Sequence, residues 1–225
     1  MIYNSIARER SVIFRVLFLA VVHLLLFGDG RIAEAANYSG LKIVVLGDSL
    51  VAGYGLAPGE GFPEQMAKSL ALKHDNLEII NAGVSGDTSS GGFSRLDWSV
   101  PENIDGVILE LGANDALRGL APQLTRQNLE KMIVRLQKRD IEVLLVGMRA
   151  PPNMGKTYED EFNGIYSDLA KKYKLVFYPF FLEGVVAKPE LNQPDAMHPT
   201  AEGIGMIVEQ FLPTMEIFLR RLAGI

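Results

Sequence analysis

The chain has 225 residues, 48% of them hydrophobic and 22% charged, enough apolar material for one globular domain with an adequate core. Its net charge of −5, with no basic face visible in the sequence to neutralise phosphates, argues against a nucleic-acid partner. Cysteine is absent, which excludes disulfides, thiol nucleophiles and lipid attachment through a cysteine.

The first segment differs from the rest. Arg8, Arg10 and Arg15 precede an apolar run from Val16 to Phe27, broken only by His23, and Ala33-Glu34-Ala35 follows. A basic start, a short apolar core and an Ala-x-Ala site are the layout of a cleaved secretory signal. The apolar run is shorter than the roughly 20 residues a bilayer span requires. Residues 1–35 are therefore expected to be a signal peptide and residues 36–225 the functional domain, periplasmic or secreted. The alternative is an uncleaved anchor, which would be the domain's membrane attachment.

Strand-like and helix-like segments then alternate. Apolar, β-branched runs occupy Leu41–Leu46, Leu77–Asn81, Gly106–Leu111, Ile141–Met148 and Lys174–Pro179. Amphipathic stretches lie between and after them: Phe62–His74, Phe93–Val100, Leu124–Asp140, Tyr158–Tyr173 and Thr200–Leu222. Continuous apolar strands are buried on both faces, as parallel strands are. Five β-α units predict a three-layer α/β/α sandwich with its site at the strand carboxyl ends.

The first strand runs into Gly47-Asp48-Ser49-Leu50, which presents Ser49 at such an end. Ser49 is either a nucleophile or, with Asp48, a cap for the next helix. Of three histidines, His23 falls in the signal segment and His74 reads as a helix-end residue, where a cation suits the dipole. His198 is left as the candidate base. Asp195, three residues earlier, can turn back to hold its imidazole, although Asp-x-x-His is also an ordinary capping turn.

Two more loops follow strands, Val84-Ser85-Gly86-Asp87-Thr88 and Gly112-Ala113-Asn114-Asp115. The Gly86 N–H, the Asn114 amide and the Ser49 N–H are suitable donors to an oxyanion, while turn geometry alone would explain either loop. Asp115 is expected to hold its loop. Gly155-Lys156-Thr157 mimics the end of a P-loop, but Ala150 replaces the first glycine and Pro151 and Pro152 lack N–H groups, so nucleotide binding is not expected. No carboxylate pair or metal-ligand spacing stands out, and neither metal nor cofactor is called for.

Gly47-Asp48-Ser49-Leu50, Ser85-Gly86-Asp87, Gly112-Ala113-Asn114-Asp115 and Asp195-Ala196-Met197-His198 stand in fixed order. Together they resemble the SGNH (GDSL) hydrolase superfamily. Leu109 to Leu120, Ser85 to Ser89 and Pro179-Phe180-Phe181-Leu182 are similar to its branch of bacterial periplasmic thioesterases, lysophospholipases and arylesterases. The resemblance runs from Leu41 to the last helix. It implies a flavodoxin-like sheet of order 2-1-3-4-5, Ser49 as nucleophile, His198 as base oriented by Asp195, and an oxyanion hole of Ser49, Gly86 and Asn114. Ala196 departs from the pattern, which often has glycine there, and Ala113 fills a variable position.

The implied activity is hydrolysis of acyl esters through an acyl-enzyme, with thioesterase and lysophospholipase-type reactions in range. Leu117, Arg118, Met148 and Pro151 are the expected substrate contacts, with apolar walls suited to short or medium acyl chains or aryl esters; they could equally cover the sheet edge. A carbohydrate or peptidoglycan O-acetylesterase is the enzyme alternative. A non-catalytic periplasmic ligand-binding protein is the alternative from another class, because fold alone does not fix function.

Overall fold

The computed structural model describes Tyr38 and residues 40–74 and 76–225. The expected signal peptide lies outside the described residues. Five strands form one parallel sheet: β1 (Lys42–Gly47), β2 (Glu78–Gly83), β3 (Gly106–Glu110), β4 (Glu142–Val146) and β5 (Val176–Tyr178). Their order is β2-β1-β3-β4-β5, the flavodoxin-like arrangement expected. Ile43 pairs with Gly106 and Leu46 with Leu109, so β1 and β3 are central, and both are buried along nearly their whole length. Strand β2 lies at the edge and is only partly covered.

The helices are α1 (Ser49–Ala52), α2 (Phe62–Ala71), α3 (Ser89–Ser94), α4 (Leu96–Ser99), α5 (Ala113–Leu117), α6 (Pro122–Gln137), α7 (Lys156–Tyr173) and α8 (Ala201–Leu222). Helices α2 and α8 pack together as one layer; α3, α6 and α7 form the other. This explains why the strands read as unbroken apolar runs: a parallel sheet with helices on both sides has no wet face. In the α2–α8 layer the Phe62 ring meets Phe181 at 4.9 Å and Phe211 at 5.2 Å, edge to face. Phe62 is wholly buried, and truncating such a ring to alanine costs about 3–5 kcal/mol. Among the described residues no helix is long and apolar enough to cross a membrane.

Several boundaries differ from expectation for identifiable reasons. The single stretch expected over Phe93–Val100 is two short helices, the first begun by Thr88, whose hydroxyl accepts from Gly91 N–H at 3.3 Å. Arg95 stands between them, the C-cap of the first and the N-cap of the second. Helix α2 stops at Ala71, so His74 is not its dipole cap; its Nε2 lies 3.0 Å from Glu216 of α8 and its ring packs edge-on against Tyr38. Strand β5 starts late because Lys174, in the left-handed region, terminates α7. The sequence shows no basic face, yet helix packing gathers Lys131, Arg135, Lys138, Arg139 and Lys172 around one surface groove with Asp97 and Glu130. Lys131, Arg135, Lys138 and Arg139 recur at helical spacing along α6 and its C-terminal end, and packing against α7 adds Lys172.

Every strand ends in a loop on the same edge of the sheet. Asp48-Ser49 leaves β1, Val84–Thr88 leaves β2, Leu111–Asn114 leaves β3, Gly147–Pro152 leaves β4 and Pro179–Leu182 leaves β5. All candidate residues except those on the His198 loop belong to these five segments or to the short helix that follows β3.

Candidate active site

Ser49 is the first residue of α1, and Asp48 is its cap, accepting from Leu50 N–H at 3.0 Å. Capping and site formation coincide: the cap fixes the turn that holds Ser49 above the sheet edge. His198 reaches it from the segment before α8. There an antiparallel bridge between Asn192 and Pro199, with Gln193 N–H donating to the His198 carbonyl at 2.7 Å, closes a narrow loop. The His198 Nε2 accepts from Ser49 Oγ at 2.8 Å, and its Nδ1 donates to Asp195 Oδ2 at 2.7 Å. The other carboxylate oxygen of Asp195 accepts from the Met197 and His198 N–H groups at 2.9 and 3.0 Å. These backbone donors hold its carboxyl down at about 2, so the group facing His198 is an anion. Ala196 takes the left-handed conformation (φ 57°) inside this turn, the backbone state that explains glycine's suitability at the position. The Tyr54 ring lies against the imidazole, centroids 4.6 Å apart.

The two donor loops border the same space. Gly86 occupies the third position of a turn closed by Asp87 N–H to Val84 O at 3.1 Å, and its φ of 83° is what a type II turn requires there. Asn114 is on α5, close after Gly112. Gly112 has φ 121°, and a Cβ there would lie 2.1 Å from the Tyr166 hydroxyl, which donates to Leu111 O at 2.9 Å. Asn114 Nδ2 donates to Asp48 Oδ2 at 3.0 Å, leaving the second amide hydrogen for another acceptor. Asp115 does hold its loop: wholly buried, it accepts from Ser89 N–H at 2.7 Å, Ser89 Oγ at 2.5 Å and Thr125 Oγ1 at 3.1 Å.

Three polar residues take parts that the sequence does not assign them. Asp48 is more than a cap, since it orients Asn114; burial pushes its carboxyl up to about 6. Behind it Glu110, the last residue of β3, is completely buried. The Asp48 N–H approaches its Oε2 at 3.4 Å and its Oε1 has no partner among the described residues. Burial, and then the neighbouring Asp48, push the Glu110 carboxyl well above its ordinary 4.5. Arg95 ties the ends of β1 and β2 together, donating to Gly47 O and Ala82 O, both at 2.9 Å, and to Asp87 at 2.5 Å. None of these carries a sequence signal beyond its place near a motif.

Ser49, Gly86, Asn114 and His198 line one cavity of about 610 Å³. Its far walls are apolar: Leu117, Met148, Pro151, Phe180, Leu182 and Val186. Of the four expected substrate contacts, Leu117, Met148 and Pro151 are thus in the lining, while Arg118 is outside it and donates instead to Gly86 O at 2.8 Å. The P-loop mimic contributes only a border. Gly155 precedes α7, and Lys156 points to solvent and pairs with Asp160.

Residues 45–204 match the model of the GDSL-like lipase/acylhydrolase family. The chain belongs to that family. The family match and the Ser-His-Asp geometry together make it an acyl-ester hydrolase. An arylesterase of Vibrio mimicus is 39% identical over 177 residues, 78% of this chain and 88% of that protein. The thioesterase 1/protease 1/lysophospholipase L1 of Escherichia coli (strain K12) is 36% identical over 168 residues, 74% and 79% of the two chains. Among solved structures, the SGNH-hydrolase family esterase AlinE4 is 46% identical and superposes with a TM-score of 0.67, over 80% of this chain and 97% of that one.

Proposed function

We propose that the protein hydrolyses esters and thioesters of short to medium acyl chains, with Ser49 as nucleophile. The observation that carries this is the continuous chain from Asp195 through His198 to Ser49 Oγ, both links under 3 Å. As Ser49 attacks the acyl carbonyl, His198 Nε2 takes its proton and the Asp195 anion stabilises the resulting imidazolium. The tetrahedral oxyanion is received by the N–H groups of Ser49 and Gly86 and the free amide hydrogen of Asn114. His198 then protonates the departing alkoxide or thiolate, and water repeats the sequence on the acyl-enzyme. Leu117, Met148 and Pro151 receive the acyl chain.

The apolar walls favour this over O-acetylesterase activity, since an acetyl group fills little of such a space. The arylesterase and thioesterase relatives support a broad range of leaving groups. The expected signal peptide supports action in the periplasm or outside the cell. Hydrolysis of p-nitrophenyl butyrate by the purified mature chain, abolished in Ser49→Ala, with Ser49 labelled by a fluorophosphonate, is the expected result. Undiminished turnover by folded Ser49→Ala would overturn the assignment. An unlabelled Ser49 would favour a binding protein.

A further inference from the structure

Arg118 lies at the end of α5, outside the cavity, with its side chain at the surface, and it touches both donor loops. Its N–H donates to the carbonyl of Asn114 at 3.2 Å, and its guanidinium donates to the carbonyl of Gly86 at 2.8 Å. These two carbonyls belong to the two residues that supply oxyanion donors from outside α1. The two segments also meet away from the donors, where Asp115 on α5 accepts from the N–H and Oγ of Ser89, just past the end of the Gly86 loop. The Gly86 turn itself is held from below by the Arg95–Asp87 pair. Between Gly86 and Asn114 themselves, Arg118 is the direct link. Gly86 has no side chain to brace it, and a Cβ placed there would find nothing nearer than the Arg118 guanidinium, 3.9 Å away.

We infer that Arg118 is a positioning residue that sets the separation of the Gly86 and Asn114 donors, and so the fit of the oxyanion hole to the transition state. The inference rests on the reading of those two residues as oxyanion donors. An arginine suits the task because its planar fork is rigid over the loop gap, where a lysine would offer a single flexible point. Small errors in such a hole are costly, because donors act only when preorganised around the developing charge. The substrate itself does not touch Arg118, so ground-state binding should be insensitive to it.

The test is kinetic. In Arg118→Met, which keeps an aliphatic stem, kcat for p-nitrophenyl butyrate should fall about 10-fold with KM changed less than about 2-fold. Affinity for an alkyl boronic acid, which forms a tetrahedral adduct on serine, should fall by a similar factor. Arg118→Lys should recover only part of the loss. In an Asn114→Ala background the same Arg118→Met change should cost less than about 3-fold, because one of the two donors it spaces is gone. Unchanged kcat in Arg118→Met overturns the inference, as does a rise in KM alone, which would make Arg118 a substrate contact. Full additivity with Asn114→Ala overturns it too. Failure of the wild-type chain to hydrolyse the ester, or of Asn114→Ala to slow it, would instead remove the underlying site assignment.

Discussion

Asn114 Nδ2 donates to Asp48 Oδ2 across 3.0 Å, which joins the loop after β3 to the residue preceding Ser49. The same Asp48 carboxylate accepts from Leu50 N–H. One buried side chain therefore fixes both the start of α1 and the orientation of the Asn114 amide. Asn114→Ala removes a donor outright and should lower kcat by roughly 10²–10³-fold with little change in KM. Asp48→Asn leaves the donor present but presents an amide where Asn114 needs an acceptor. Steady-state kinetics should give it a loss of about 10- to 100-fold, smaller than that of Asn114→Ala. Equal or greater activity in Asp48→Asn would mean that this hydrogen bond does not orient the amide.

Asp195 should be needed for its charge as well as its hydrogen bond. Asp195→Asn would let the amide NH₂ face His198 Nδ1 and favour the wrong imidazole tautomer, lowering kcat by about 10³–10⁴-fold. The native carboxyl also contributes to stability with a definite sign. Its pKa falls from an ordinary 3.8 to about 2 on folding, so its contribution is complete above pH 4 and is lost as pH drops through about 2. Asp195→Asn should therefore flatten the stability curve between about pH 4 and pH 2, as read by urea unfolding at each pH. An unaltered acid slope would place the titrating group elsewhere.

The cavity predicts an acyl-length profile. Each methylene buried against Leu117, Met148 or Phe180 should be worth about 0.8 kcal/mol, which is roughly 4-fold in kcat/KM. Along a series of p-nitrophenyl esters, kcat/KM should climb by about that factor per carbon from acetate and then level off. Met148→Trp, which fills part of the wall, should bring the plateau to shorter chains by at least one carbon. A profile that peaks at acetate would transfer the protein to the acetylesterase class.

How far these features could be read from the sequence depended on their distance along the chain. The strands were legible because double-sided burial leaves an apolar run, and Ser49 because such a run stops at Gly-Asp-Ser. Asp195 and His198 were legible because three residues separate them. Asp48–Asn114 spans 66 residues and Gly86–Arg118 spans 32, so only the sheet order makes them neighbours. The sequence places Arg118 with the substrate contacts because the whole loop Ala116–Leu120 lies near Asn114, yet one step around the end of α5 turns its side chain outward to Gly86. The break at Arg95 is hidden because amphipathic spacing persists through it, and the bonds of its guanidinium to Gly47 O, Ala82 O and Asp87 join segments distant along the chain.

Glu110 extends this to stability. It ends β3 in the run Val107-Ile108-Leu109-Glu110-Leu111, where every neighbour is apolar and its own side chain is wholly buried. A carboxyl that holds its proton more tightly in the fold than in the unfolded chain costs stability once the pH passes its unfolded value. Because its folded pKa is raised, the native state holds the proton more tightly, and stability declines as pH rises from about 4.5 upward. Asp48, raised from 3.8 to about 6, adds a decline of the same sign between those values. Glu110→Gln retains the shape and an oxygen for the Asp48 N–H but cannot ionise. Chemical denaturation should find its stability relative to wild type higher at pH 8 than at pH 4, since ionisation of Glu110 penalises only the wild-type chain. At pH 4 the two should agree to within about 1 kcal/mol, because Glu110 is then largely protonated in both folded and unfolded chains. A variant whose stability relative to wild type is the same at both pH values would show that the Glu110 carboxyl is not raised in the fold.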